Sequence, residues 1–438
     1  MKKPAIIPKK ILKNTQDARD LLKSAPSSEF TRILLQNFDV PLEEYIPRLF
    51  SYIPTRPMEN ELRQAFMQEF SNLHLTQTTS TVAADMLEQT RTLQTAAHTT
   101  FTNGPGFLGA NWLTTLGIPN DKPCIIATFS GIPFDNDAKP GCLNYGKTYQ
   151  INDFLDKSYP DISELINAEA ERARCTADRR VSLIPGRWQR VSVFGSHVHE
   201  KTSRMINYLT PQINQFLPAK ILQQDFSALA LSFSANLETK IFNRKMIFVD
   251  LCSIVSNYLQ LIFEKDEHPI TKFCFEGTNF ERFESLHGKI PLFSQSGIEE
   301  KSFSQFFREG DILAKRNGTI SWNKSTIKNH LKNRELCPGL FLTFLSLTFI
   351  NQFQCLGGFN QVKYLSKFRN VLSTIDLFKI YDIETIPTDS LIAGRMIDEE
   401  GREVYPLDII LGSEVNLNPS RSLGQFATSL ILRKRWLK

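Results

Sequence analysis

Apolar residues between positions 28 and 97 recur mostly at helical spacing. Met58 to Phe70 places Leu62, Phe66 and Phe70 at i, i+4 and i+8, one stripe of a helix, after a break at Ser51–Pro57. Val82, Ala83, Met86, Leu87 and Leu93 extend the helical expectation across Thr76–Thr100. The stretch that follows changes character. Phe107, Leu108, Ala110, Trp112, Leu113 and Leu116 have helical spacing, and Cys124–Phe129 is a short β-branched run between Pro123 and Ser130-Gly131, the mark of a buried strand. Met246–Asp250 reads the same way.

Further along, 149–173, 202–217, 254–264, Ser325–Leu331 and Val362–Leu377 read as helical, and Ile221–Lys245 as mixed. Small strands or an insertion near the core sheet are expected within Phe273–Ser321, with a hairpin over Asp311–Trp322 turning at Asn317-Gly318. Leu340–Ile350 is apolar throughout, so periodicity does not decide it; 392–397 and 403–411 look β-like. The pattern predicts an α/β protein: a Rossmann-like parallel-sheet core over 98–370, an N-terminal helical section over 1–97, and mixed α/β additions over 371–438.

Composition narrows the function classes. A chain of 438 residues, 41% hydrophobic and 22% charged, can bury a large core. A net charge of +5, spread along the chain, points weakly to anionic ligands and not to nucleic acid. Seven cysteines without paired spacing imply a reducing compartment and no zinc site. The first ten residues, Met1-Lys-Lys-Pro-Ala-Ile-Ile-Pro-Lys-Lys, lack a signal-peptide core. The longest apolar run is too short to cross a bilayer, so a cytoplasmic protein is expected, with no membrane partner. The basic segment around Ile11, Leu12, Leu21 and Leu22 is an arm or a docking helix.

Candidate chemistry concentrates at His98–Tyr145. Asn103, Gly104 and Gly106 would stand at a helix N-terminus, where backbone N–H groups favour a carboxylate or phosphate. After the strand come Asp135, Asn136, Asp137 and Lys139, placed where open α/β sheets collect ligands. Their bland alternative is an Asx-rich turn. Asp250 ends its own strand and is either a ligand contact or the cap of the next helix. His197 and His199 lie two apart beside Glu200, suited to substrate binding or acid–base work; no further ligand motif accompanies them, so a metal is not expected. Cys124 reads as a core thiol.

The glycine motifs resemble a known family, the BshC-type enzymes of bacillithiol biosynthesis, which are cysteine-adding ligases. His98-Thr-Thr-Phe-Thr-Asn-Gly104-Pro105-Gly106 resembles that family's first loop, Asp135-Asn136-Asp137 its acidic loop, and Leu356-Gly357-Gly358-Phe-Asn-Gln361 its third motif, in the same order over roughly 90–370. Asn136 stands where the family has His, and Phe359 where it has Pro.

The resemblance implies a small-molecule biosynthetic enzyme that joins or transfers an amine- or thiol-bearing group, such as an amino acid, onto an anionic acceptor. In that reading Asn103, Gly104 and Gly106 hold the anion, and Asp135 or Asp137 orients an ammonium or acts as base. His98 shuttles protons, Gly357 and Gly358 admit the ligand to the backbone, and Gln361 adds an amide contact. The Arg-rich stretch 179–190 would steer an anionic substrate. Two alternatives remain: a non-catalytic binding or regulatory subunit, and a nucleotide-sugar-type transferase with a nucleotide at the glycine loop. A homodimer or a partner protein is compatible with each.

Overall fold

The N-terminal spacing becomes helices. They are α1 (Lys9–Ser24), α2 (Glu29–Gln36), α3 (Leu42–Leu49), α4 (Asn60–Asn72) and α5 (Gln77–Thr90). The computed structural model describes residues 9–100, 103–131, 142–145, 147–150, 183–184, 187–188, 215, 226–296, 303–315, 318–398, 403–410 and 413–432. Ser28 caps α2 in a capping box with Thr31, and Thr76 caps α5. Leu62, Phe66 and Phe70 of α4 are fully buried, as the spacing requires. Helix α1 docks, burying Ala18 and Leu22 in the cluster that also holds the C-terminal residues Phe426 and Ile431.

The helix expected across Thr76–Thr100 stops early. Arg91 takes the left-handed conformation (φ 46°), and its Nη1 donates to Asn351 O at 2.7 Å. The chain then forms β1 (Thr92–Gln94), too short for period-two alternation to register and buried throughout. Next come α6 (Pro105–Leu116), β2 (Cys124–Thr128) and the short strands β3 (Cys142–Tyr145), β4 (Lys147–Gln150), β5 (Leu183–Ile184) and β6 (Arg187–Trp188). The stretch expected to be mixed is one helix, α7 (Phe226–Phe242), followed by β7 (Met246–Asp250) and α8 (Leu251–Ile262).

Strands β13 (Gln354–Leu356), β1, β2 and β7 form a parallel sheet in the order β13-β1-β2-β7. Its register pairs Leu93 with Cys355, Gln94 with Ile126 and Val249 with Ala127. The α/β class holds. The Rossmann-like core does not: four strands in this order do not make the paired halves of a dinucleotide fold. A five-stranded antiparallel sheet accompanies the parallel one, built from β8 (Phe293–Ser296), β9 (Phe303–Glu309), β10 (Ile312–Lys315), β11 (Gly318–Ser321) and β12 (Cys337–Pro338). The predicted hairpin is the β10–β11 pair, Lys315 facing Gly318. Helices α9 (Pro269–Phe275) and α10 (Asn279–His287) occupy part of the segment where small strands or an insertion were expected, and α11 (Lys324–Lys332) is the predicted helix before β12.

Leu340–Ile350 resolves into α12 (Leu340–Phe344) running on as a π-helix over Leu345–Ile350. From Phe341 onward the run is buried, so no polar face marks its period. Asn351 Nδ2 donates to Ser346 O (2.9 Å) at the end of the widened turn. Helix α13 (Phe359–Leu372) follows β13 directly. The β-like tail pieces reduce to isolated bridges, Gly357 with Leu391 and Ile397 with Glu403, before α14 (Pro406–Ile410) and α15 (Leu423–Leu432). No helix among the described residues is long and apolar enough to cross a membrane.

Candidate functional site

In sheet order the chain steps from β1 to β2 to β7 on one side, while β13 adds on the other side of β1. The loops leaving β1 and β13 therefore diverge at the carboxyl ends of these two strands, the customary ligand position in open α/β sheets. His98, Asn103, Gly104, Gly357, Gly358 and Gln361 all belong to these two loops and the helices that follow them. The sequence thus placed its two glycine motifs at one edge of one sheet, although 250 residues separate them.

On the β1 side the strand continues past Gln94. Phe129 N donates to Ala97 O (3.0 Å), Thr99 N to Phe129 O (3.3 Å), and the Thr99 and Thr128 hydroxyls lie 2.7 Å apart. His98 bridges to Phe129, is half-buried, and lies 4.8 Å, ring to ring, from Phe107 in the first turn of α6. Gly104 caps α6 with no side-chain hydrogen bond and Pro105 occupies the first helical position. The first intrahelical bond runs from Leu108 N to Gly104 O, so the N–H groups of Gly106 and Phe107 have no partner within the helix. This is the anion-compatible end that the sequence predicts.

Beneath it lies a residue the sequence reading missed. Glu238, on the face of α7 turned toward this loop, is fully buried. Asn103 Nδ2 donates to its Oε1 (2.6 Å), and Asn111 Nδ2 donates to Oε1 (3.1 Å) and Oε2 (2.9 Å). The chain of amides continues through Gln94, whose Nε2 donates to Asn111 Oδ1 (2.7 Å) and whose Oε1 accepts from Ala96 N (3.1 Å). Burial pushes the Glu238 carboxyl from 4.5 up to about 8, against the lowering effect of the two asparagines. It therefore carries a proton at neutral pH, and that proton needs an acceptor. Asn103 Oδ1 is buried with no partner among the described residues. Turning this amide about its last torsion would exchange Nδ2 for Oδ1 and supply the acceptor. An isolated Glu within the apolar stretch Phe226–Phe242 was the available signal.

The β13 side is more occupied. Gln361 Nε2 donates to Thr95 Oγ1 (2.8 Å) and Cys355 O (3.1 Å), tying α13 to the strand ends, so both amide hydrogens serve the fold rather than a ligand. A Cβ at Gly357 would overlap the Gln361 amide, which explains that glycine by packing. Gly357 also pairs with the tail: its N donates to Ser390 O (3.0 Å), and its O accepts from Ile392 N (2.9 Å). The segment Ser390–Met396 then runs to α6, where Met396 N donates to Pro105 O (2.9 Å). Gly358 differs. It caps α13 without a side-chain bond, and among the described residues nothing lies within 4 Å of where a Cβ would be.

At the end of β7, Asp250 resolves as a helix cap. Its Oδ1 accepts from Cys252 N (2.9 Å) and Ser130 Oγ (2.9 Å), and its N–H donates to buried Glu69 (3.0 Å). Burial, the neighbouring Cys252 and Glu69 push its carboxyl well above the usual range. Cys124 is the buried core thiol expected, pushed up to about 12 by burial.

Asp135, Asn136, Asp137, Lys139, His197 and His199 lie outside the described residues, as does nearly all of the 179–190 basic stretch. No cluster of His, Cys, Asp and Glu among the described residues could hold a metal ion. Compared with known proteins, the chain matches no family model and no curated protein.

Proposed function

We propose that the chain is a small-molecule enzyme that joins or transfers an amine- or thiol-bearing group onto an anionic acceptor, with its reaction centre between β1 and the start of α6. The observation that carries this reading is Glu238: a fully buried carboxyl, protonated at neutral pH, held by Asn103 one residue before an uncapped helix N-terminus. Group transfer to an anion needs a fixed positive potential and a group that exchanges a proton near neutrality. In this reading the α6 N–H groups supply the first and Glu238 the second, and His98 on the same loop would pass the proton outward. The three resembling motifs support a ligase more than a nucleotide-dependent transferase, since no nucleotide-type glycine loop accompanies α6.

The reading is tested by incubating the purified chain with amines or thiols paired with anionic acceptors that carry their own leaving group, such as acyl or glycosyl phosphates, and with free carboxylates plus a nucleoside triphosphate to activate them, following product and released phosphate by mass spectrometry. Wild-type protein is expected to form an adduct, and Glu238→Gln and His98→Ala to bind acceptor but lose turnover by about 100-fold or more. Equal turnover in wild type and both variants overturns the assignment. The Ser390–Met396 segment laid across the β13 side favours a second reading, a binding subunit without chemistry, which predicts acceptor binding and no product with any pair.

A further inference from the structure

Two cysteines far apart in the sequence meet where the parallel and antiparallel sheets adjoin. Cys252 lies in the first turn of α8, just past the end of β7, and Cys337 begins β12. Cys337 faces Ser294 across the antiparallel β12–β8 pair, so their side chains share one face of that sheet. Ser294 Oγ donates to Gly131 O (3.3 Å), on the loop that leaves β2. A Cβ at Gly131 would stand 3.1 Å from Cys252 Sγ and 3.2 Å from Ser294 Oγ, so the same loop touches the start of α8 and the neighbour of Cys337. The two thiols are hydrogen-bond partners, Cys337 donating to the Cys252 sulfur, and both are fully buried.

Their surroundings make the two sulfurs unequal. Burial raises the Cys252 thiol, but the bonds from Cys337 and from the N–H groups of Ser130 and Gly131 outweigh it and bring the thiol below 9.0. Cys337 moves the other way: burial, its bond to Cys252 and the nearby Asp250 carboxyl hold it well above that value. A thiolate-prone sulfur bonded to a protonated thiol is the arrangement of an attacking and a resolving cysteine. Asp250 Oδ2 is buried with no partner among the described residues, an unmet hydrogen-bonding position for a small hydroxylic molecule. Burial of both sulfurs favours an oxidant of water's size, hydrogen peroxide, over a bulky disulfide.

We propose that Cys252 and Cys337 are a peroxide-oxidised dithiol that closes to a disulfide between α8 and β12. The Cys252 sulfur attacks one peroxide oxygen. The S–O bond forms, the O–O bond breaks, and the leaving hydroxide takes the proton that Cys252 has lost, giving a sulfenic acid and water. The Cys337 sulfur then attacks that of Cys252. The S–S bond forms, the S–O bond breaks, and the second hydroxide leaves as water with the Cys337 proton. Together the sulfurs lose two electrons, and one peroxide becomes two waters. Neither Glu238 nor His98 takes part.

To test this, the full chain is treated with hydrogen peroxide, its remaining thiols are alkylated in urea, and the unreduced digest is read by mass spectrometry. The expected product is a cross-linked peptide pair holding Cys252 and Cys337, two hydrogens lighter than the free thiols and released by dithiothreitol. Cys274 and Cys355, each pushed up to about 12 by burial, should oxidise more slowly than Cys252 by about tenfold or more. In Cys337→Ser the reaction should stop at a sulfenic acid on Cys252, trapped by dimedone; in Cys252→Ser, Cys337 should stay reduced. Both variants are checked for native circular dichroism first. Absence of the link in the folded chain, an equal yield from chain unfolded in urea, or equal oxidation of Cys274 and Cys355 overturns the proposal.

Discussion

Asn111 donates through a single Nδ2 to both oxygens of Glu238, at 3.1 and 2.9 Å, and among the described residues that carboxyl has only asparagine side chains as partners. A folded-state value of about 8 against an unfolded 4.5 means that the native state holds the proton more tightly. Its contribution to stability is complete below 4.5 and is lost as pH rises toward 8, by up to about 1.4 kcal/mol per pH unit. Glu238→Gln cannot ionise, so its urea midpoint should exceed that of the wild type increasingly between pH 5 and pH 8. Parallel pH profiles for the two proteins would rule out a buried, protonated Glu238.

Gly357 and Gln361 form a packing pair rather than a ligand pair. Gly357→Ala drives its new methyl into the Gln361 amide and should cost about 1–3 kcal/mol. Gln361→Ala loses the bonds to Thr95 and Cys355, about 1–2 kcal/mol. Because the first substitution acts through the second residue, the double variant should lose less than the sum of the two. Simple additivity in denaturant titrations would show that Gly357 is required for some other reason.

Glu59 contributes to stability against acid. Burial raises its carboxyl, but donors on His268 (3.2 Å) and Tyr258 outweigh that and hold it below 4.5. Its stabilisation is present above 4.5 and disappears as pH falls through the lower folded value. Glu59→Gln should be less stable than wild type at pH 7 and show a shallower loss of native circular dichroism below pH 4. An acid transition unchanged from wild type would mean that other carboxylates govern it.

Long or strongly bounded elements were legible in the sequence. The α4 stripe, the two strands at 124–128 and 246–250, the hairpin within 311–322 and the helix after Gly106 all follow from local pattern, although Gly318 begins β11 opposite Lys315. What was hidden depended on tertiary contact. Three residues of β1 carry no period of their own and are a strand because β2 and β13 flank them. Helix α7 looked mixed because its polar positions, Ser234 and Glu238, face the loop after β1 instead of solvent; Ser234 Oγ donates to Thr100 O (2.9 Å). The same inward polarity hid Glu238 as a site residue. Gly357 and Gln361 pack against each other, which the sequence could not show, since nothing local distinguishes a glycine that admits a ligand from one that admits a neighbouring amide.

The central claim is that Glu238 keeps a proton into the neutral range beside the start of α6. Carbon-13 NMR of protein labelled at the glutamate side-chain carboxyl, with the signal assigned by its loss in Glu238→Gln, measures this directly. The expected titration midpoint is close to 8, moving when an anionic acceptor binds at α6. A midpoint near 4.5, the ordinary glutamate value, would contradict it.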